Sequence, residues 1–475
     1  MSCRSLIVCL CQITLCLVLL SAGTASADTP NRDPSFAAPQ GYAKITSFLG
    51  TSTYLSSTPQ RLLITSSGTH YLVGTGVTAV GVQPVQKAIS ITSLDANGQL
   101  NTGFFGTGQR SFKLTSSGML RDVTVADAAI VPGVGIAIAG NFVDGNVFGF
   151  VVLINFAGNP VTSFGNGGVV GFINQEPIAI AADAGGIFVA GSSPFADQFT
   201  SIDLWVNAYS LTGGTRPNWN NEFSFRWGHV DSQNRRDYRD YPLGMAVDAN
   251  GRLVVVGYTG RSSESVAYGT ALVLGPTGLL EHARVDSPLD CAANAGRRWL
   301  YYTAVVSTGA RAYIAQQQSI DNAACPDVPA SSFGARELDL ATSALATVGS
   351  TSTRASCCGG DGAFVSLGDI ARDDRGRVYL AFTTGLTSPG WRGHLVRFDP
   401  ALGGAPDPGF GDGGFGTYNL DSPSLDAGLS AIAFDPQRRL VAAGYITSDI
   451  LGNPQNFDMW AFRIRDDQLF GNGFE

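Results

Sequence analysis

"GMAVDANGRLVVVGYT", residues 244–259, sets an alternating apolar run against an Asp-x-x-Gly turn, then a second apolar run and a closing glycine. Period-two alternation on both sides of a glycine-bearing turn is the pattern of a β-hairpin. The pattern returns at "IAIAADAGGIFVAGSS" (178–193) and "AIAFDPQRRLVAAGYIT" (431–447), with looser copies at 62–76, 122–142, 304–318 and 369–385. Aligned on the end of the second run, the seven copies close at Gly74, Gly140, Gly191, Gly257, Gln316, Phe382 and Gly444, at intervals of 51 to 66 residues. A self-similar period of about 60 residues signals a propeller or a solenoid.

Downstream of each hairpin a third apolar run follows, as in "DLWVNAYSL" (203–211), "GHLVRFDPA" (393–401) and "DMWAFRIRD" (458–466). A Phe-Gly turn comes next, at "FFGTGQRSF" (104–112), "VTSFGNGGVV" (161–170), "GFGDGGFGTY" (409–418) and "LFGNGFE" (469–475), and a fourth strand after it, as in "GGVVGFIN" (167–174). The phenylalanine anchors the turn in a core, and the glycines supply the positive φ that the turn demands. Four antiparallel strands per repeat make a propeller blade. The last repeat stops at its Phe-Gly turn, while the unmatched strand "GYAKITSFL" (41–49) precedes the first hairpin. The sequence therefore predicts an all-β, seven-bladed β-propeller whose ring is closed by the N-terminal strand completing the last blade, with no edge left open.

These motifs resemble the delta-60 repeat family of bacterial exported proteins, on "SFGNGGVV" (163–170), "VDANGRLVVVGY" (247–258) and "GHLVRFDPALGGAPDPGFGDGG" (393–414). The resemblance implies propeller structure over nearly the whole mature chain and brings no shared catalytic residues with it. Repeats one and five depart most from its pattern.

The first 27 residues have the layout of a secretory signal: Arg4, an apolar run from Leu6 to Leu20, and Ala25-Ser26-Ala27 before Asp28. The expectation is a signal peptide over 1–27 and a single domain over 28–475, secreted, periplasmic or at the cell surface, with no membrane-spanning segment after cleavage and a monomeric state. A net charge of −8 argues against a nucleic-acid partner, whose phosphates need a basic stripe. Three lysines, Lys44, Lys87 and Lys113, leave few carriers for Schiff-base chemistry. Four of the eight cysteines lie in the leader; Cys291, Cys325, Cys357 and Cys358 remain, and an even number in an exported chain reads as disulfides. Cys291–Cys325 with a vicinal Cys357–Cys358 ring is the favoured pairing, and a crosslink into the Cys-Cys pair is the rival.

Local catalytic signatures are missing. His70, His229, His282 and His394 are scattered and form no zinc-binding pair, and no Gly-x-Ser-x-Gly elbow occurs. Acidic turns at Asp95, Asp248, Asp373 and Gly411 raise calcium, but they lack the spacing of a calcium loop, and Asp in such turns stabilises the turn itself. No cofactor is expected. The connection "FRWGHVDSQNRRDYRDYP" (225–242) gathers Trp227, His229, Arg235, Arg236, Tyr238, Arg239 and Tyr241. Arginine with aromatics suits anionic or sugar ligands, whereas a solvated loop with arginine pairs to Asp237 and Asp240 is the plainer reading. The adjacent cysteines resemble those beside the cofactor of quinoprotein dehydrogenases, but the six tryptophans do not recur in register as the blade motif of those enzymes requires. The tail "LFGNGFE" also resembles short C-terminal endings of exported gammaproteobacterial proteins.

Two functions follow. The first expectation is a non-enzymatic exported platform that binds a protein or glycan through loops on one face. The alternative is a propeller enzyme, either a quinone-dependent dehydrogenase or a carbohydrate-active lyase or hydrolase, with its site at the mouth of the central channel. Carboxylates, histidine or arginine converging from several repeats with perturbed pKa values would mark the enzyme, and an apolar or aromatic patch the platform.

Overall fold

The computed structural model describes residues 32–45, 54–78, 86–116, 118–144, 146–194, 202–219, 225–229, 238–261, 266–288, 298–320, 331–352, 364–385, 391–418, 426–448 and 456–465. Among them strands dominate, and pairing falls into antiparallel runs of four. Four runs stand as separate sheets, and a twelve-stranded sheet is three more, joined by short parallel contacts at Ile202–Arg239 and at Val266–Arg298. We number these runs as units one to seven in chain order of their first strands: Tyr54–Ile64, Thr124–Val131, Glu176–Asp183, Tyr238–Val247, Arg298–Thr308, Phe364–Arg372 and Ala427–Phe434. No helix among the described residues is long and apolar enough to cross a membrane. Residues 1–31 and all four candidate disulfide cysteines lie outside the described residues.

Each first strand carries a break in register at the same place. It falls between Pro59 and Arg61, Val125 and Asp127, Pro177 and Ala179, Pro242 and Gly244, Tyr302 and Ala304, Leu367 and Asp369, and Leu429 and Ala431. The residues opposite these bulges are Gly74, Gly140, Gly191, Gly257, Gln316, Phe382 and Gly444, the seven closing positions of the repeat. A bulge bends its strand and drives a carbonyl toward the partner. A Cβ at any of the five glycines would overlap the carbonyl oxygen of Thr58, Thr124, Glu176, Tyr241 or Gly428, respectively. The closing glycine is therefore a demand of close approach. Gly257→Ala should destabilise the fold by about 1–3 kcal/mol through forced backbone displacement, read as a lower urea midpoint at unchanged slope; an unshifted midpoint would show that the strand yields freely.

The Asp-x-x-x-Arg hairpin turns are explained as locally. Asp248, Asp373 and Asp435 each accept turn amides through Oδ1 and the Nε of Arg252, Arg377 and Arg439 through Oδ2, at 2.8, 2.7 and 2.7 Å. In the Phe-Gly turn of unit six, Phe410 is fully buried and Arg397, itself 2% exposed, donates Nε to Asp407 at 2.6 Å and lies 5.0 Å over the Phe410 ring. Unit seven repeats this arrangement with residues from the other end of the chain. Arg463 donates Nε to Asp33 at 2.7 Å and lies 5.3 Å over Phe36, and the Asp33 amide bonds to the Arg463 carbonyl as the Asp407 amide bonds to that of Arg397, both at 2.8 Å. Tyr42–Ile45 then pairs antiparallel with Asn456–Arg463 as the fourth strand. The last turn expected at the tail is thus supplied by "DPSF" (33–36), a copy of "DPGF" (407–410), because Arg463 binds the Asp of that segment. The tail, from residue 466 on, lies outside the described residues.

The apolar core lies between units. Phe188, Ala190 and Val206 of unit three pack with Met245, Val255 and Leu272 of unit four, and Tyr71, Val73 and Ile91 of unit one with Val125, Ile138 and Val152 of unit two. This face-to-face packing lines the first strands up beside one another and brings their equivalent residues together.

Candidate active site

The residue that immediately precedes the bulge-flanking pair is equivalent in all seven first strands: Thr58, Thr124, Glu176, Tyr241, Tyr301, Ser366 and Gly428. Chemistry is concentrated in three consecutive units. Glu176 of unit three is exposed and Tyr241 and Tyr301 of units four and five are half-buried, whereas the other four positions hold two threonines, a serine and a glycine. Tyr241 stacks on Tyr258, its cross-strand partner, at 5.1 Å and 22°, and Tyr301 meets Tyr258 edge-on at 4.8 Å. Burial and the two neighbouring phenols push Tyr258 up to about 12, so it stays neutral. Glu176 is reachable and accepts from Asn141 Nδ2 at 3.3 Å.

Directly behind Tyr241 is a second cluster. Asp240 is 1% exposed, accepts the His229 amide through Oδ2 at 3.1 Å, and has no partner for Oδ1 among the described residues. Burial pushes its carboxyl up to about 7, the nearby Thr259 hydroxyl and the His229 amide pull the other way, and the Asp203 carboxylate of unit three adds to the rise. Gly228 sits against Asp203, so the Gly228–His229 segment is held between two carboxylates. The His229 ring packs edge-on against Tyr238 at 4.5 Å and lies 6.1 Å from Trp227. A carboxyl whose folded pKa exceeds the ordinary 3.8 contributes fully at low pH and loses that contribution as pH climbs toward its folded value. Wild type should therefore lose stability between pH about 4 and 7, and Asp240→Asn, which keeps an acceptor for His229, should flatten that part of the profile. Urea midpoints across the range decide it, and parallel profiles for the two proteins would refute the assignment.

A third cluster lies one step further along the first strands. Arg61 of unit one reaches Asp127 of unit two through Nε at 3.0 Å and Asp369 of unit six through Nη1 at 3.1 Å. Each carboxylate also accepts its following amide and one from the next unit, Ile180 or Ile432. Burial raises both Asp carboxyls, against the pull of Arg61, and Asp127 above all holds the guanidinium charged. The two carboxylate side chains are only 10% and 9% exposed, while 21% of the Arg61 side chain meets solvent.

Of the residues singled out by sequence, Trp227, His229 and Tyr238 are brought together, Tyr241 packs instead on Tyr258, Arg239 is exposed, and Arg235 and Arg236 lie outside the described residues. The plainer reading of that connection is corrected for Asp240, which is buried on a backbone amide instead of solvated in an exposed pair. His70 and His394 are buried strand residues: His70 bonds the Asp95 carbonyl, and His394 sits between Thr384 and Thr417, with burial lowering it to about 4. Asp95, Asp248 and Asp373 hold their own turns together. Missed from sequence were Glu176, Asp203, Tyr258, Tyr301 and the Arg61, Asp127 and Asp369 set. The available signal was a charge at three of the seven positions that follow the bulge.

No family model matches the chain, and neither does any curated protein. Among solved structures, it is similar to a sialidase of Trypanosoma rangeli (11% identity, TM-score 0.42, covering 90% of this chain and 59% of that one). It is also similar to a sialidase of Streptococcus pneumoniae (10%, 0.44, 91% and 71%) and to a polysaccharide lyase (8%, 0.45, 86% and 90%). The chain thus spans 59% of the length of the trypanosomal enzyme. Identities this low carry no residue correspondence, so the chemistry here rests on the chain's own side chains. The expectation of a non-enzymatic binding platform is corrected: two sialidases and a polysaccharide lyase are among the solved structures similar to the chain, and among the described residues carboxyls raised by burial stand in two separate clusters, Asp240 in one and Asp127 with Asp369 in the other.

Proposed function

We propose that the seven four-strand units are blades of one closed ring and that the protein cleaves glycosidic bonds at the mouth of its central channel. Closure is supported by the Tyr42–Ile45 strand on unit seven, by Ser430 Oγ of that unit donating to the Pro59 carbonyl of unit one at 2.7 Å, and by Arg61 joining units one, two and six. The repeat pattern supports placing the chain with the delta-60 repeat proteins. The leader-like first 27 residues support export to where polysaccharide is met.

The observation that carries the function is the presence of Glu176, Tyr241 and Tyr301 at one equivalent position of three consecutive first strands. Flat phenol faces take the C–H face of a pyranose, and a reachable carboxylate beside them serves as the acid–base group. Hydrolysis breaks the C–O bond and adds a proton from water to the leaving oxygen and hydroxyl to the anomeric carbon. Elimination moves a ring C–H proton to a base, breaks the C–O bond to the leaving sugar, whose oxygen takes up a proton, and leaves a double bond in the ring, and neither reaction needs an oxidant. The test is incubation of the full mature chain with a panel of neutral and acidic polysaccharides. New reducing ends with an ultraviolet-absorbing unsaturated sugar mean elimination, reducing ends alone mean hydrolysis, and absence of both refutes the reading.

A further inference from the structure

We infer that the cleft between units one and two, at the far end of the first strands from Glu176, is a second site that holds a neutral saccharide without transforming it, independently of any cleavage elsewhere. The cleft has a volume of about 690 Å³, inside the range of about 300–1,000 Å³ usual for small-molecule sites. Its unit-one wall is the hairpin turn that follows Ile64. That turn begins at Thr65, roughly 20 Å of strand from Thr58, the equivalent of Glu176.

Unit six fills the same level with charge. Asp373 and Arg377 pair across its hairpin turn at 2.7 Å, and Arg397 and Asp407 pair at 2.6 Å beside its Phe-Gly turn. Tyr379 lies between them, its hydroxyl 3.4 Å from Asp373 Oδ2 and its ring edge-on to Phe410 at 5.8 Å. Unit one makes the same backbone bonds with neutral side chains. The Thr65 amide bonds the Thr69 carbonyl at 2.9 Å as that of Asp373 bonds Arg377 at 3.0 Å, and the Asn101 amide bonds the Ser93 carbonyl at 2.9 Å as that of Asp407 bonds Arg397 at 2.8 Å. Thr65 and Thr69 thus replace one ion pair, and Ser93 and Asn101 the other, while Tyr71 keeps the place of Tyr379, edge-on to Phe104 at 5.6 Å. The cover differs too. Tyr379 meets Phe434 of unit seven edge-on at 5.5 Å, and Arg438 of the following turn binds Asp374. The equivalent of Phe434 is the smaller Ile130 of unit two, and the turn after it, "VPGVG" (131–135), carries no charge. With these arginines and the phenyl ring replaced by smaller groups, the level stands open as the cleft.

What remains there suits a sugar. The hydroxyls of Thr65, Ser67 and Thr69 form a chain, at 2.8 Å and 3.4 Å, and each can turn to donate or accept. Asn101 adds an amide, 3.2 Å from Ser93 Oγ. Phe156 and Tyr71, with ring centroids 6.2 Å apart, supply apolar surface for the C–H face of a pyranose. No residue lining the cleft is charged, so an acidic sugar would bring a carboxylate with no cation to meet it. A wholly apolar ligand would strip water from the hydroxyls and return no hydrogen bond. A neutral saccharide, with hydroxyls at its edge and C–H groups on its faces, satisfies both parts of the wall.

The experiment titrates the full mature chain, carrying Glu176→Gln so that the ligand stays intact, with cellohexaose, maltohexaose, mannohexaose and the acidic hexagalacturonate in a calorimeter. A neutral hexasaccharide should bind at a site that Thr65→Asp with Thr69→Arg, which restores the ion pair of unit six, weakens by about tenfold or more. Neutral binding that survives the double substitution, no binding of any neutral probe, or a site at the cleft that takes hexagalacturonate alone would each overturn the inference. If the double variant does not fold, Ser67→Arg decides: it leaves the bond from the Thr69 amide to Thr65 Oγ1 in place, sets a guanidinium at the cleft, and should cause the same loss. A protein that cleaves no glycan, yet loses neutral binding with these substitutions, would refute the cleavage reading and leave this site standing.

Discussion

Replacing Arg61 by methionine should cost the fold about 3–5 kcal/mol, the range for breaking a buried ion pair from one side. The reason lies with the partners left behind. Asp127 and Asp369 face each other's unit with no other cation on them among the ion pairs of the described residues, and burial already raises both carboxyls while Arg61 holds them down. Without the guanidinium both must take up a proton or remain as uncompensated buried charge. The sign of the pH dependence follows. A group with a raised folded pKa contributes fully below its unfolded value, near 3.8 for these carboxyls, and loses that contribution as pH rises through the folded value. Loss of Arg61 moves the folded values higher still, so the deficit of the variant should be small in acid and largest at and above neutral pH. Urea denaturation of both proteins at several pH values checks this; a pH-independent deficit would mean that methionine damages packing and not charge.

The ion set also bears on how much of the molecule could be read in advance. The hairpins were legible because their cause is local: apolar alternation, an Asp that caps the turn, and a glycine that admits a carbonyl. The closing positions aligned by sequence are the residues opposite the bulges, though the bulges themselves are invisible in a list of residues. The turn of the last unit was misassigned because "DPSF" (33–36) stands 430 residues from the Arg463 that binds its Asp, while "LFGNGFE" stands next to it in sequence. Sequence proximity was the wrong guide where the chain returns on itself.

The site was legible only in its contiguous part. Trp227, His229, Tyr238 and Tyr241 belong to one connection and attract attention by composition. Glu176, Tyr241 and Tyr301 lie 65 and 60 residues apart and acquire meaning only from their common place in the repeat. Asp240 looks like one more charge in "RRDYRDYP" (235–242), and only the fold reveals that it turns inward. Repeat proteins hide their sites in this way because each unit contributes one residue, in a stretch otherwise devoted to packing.

Glu176→Gln should lower kcat on a cleaved glycan by about 10²–10⁴-fold, the usual contribution of a positioned acid–base group, with KM little changed. Glutamine keeps the shape and an oxygen for Asn141, and the side chain is exposed, so the fold should keep its urea midpoint. Tyr301→Ala should behave differently, raising KM more than it lowers kcat, because a stacking face binds ground state and transition state alike. The contrast matters more than either value. If both variants merely weakened binding, the mouth would hold sugar without transforming it, and the catalytic group would have to be sought elsewhere, with Asp203 of the neighbouring unit the next to be replaced. If Glu176→Gln alone abolishes turnover while still binding substrate, the carboxylate is the acid–base group, and the three consecutive first strands are the catalytic wall.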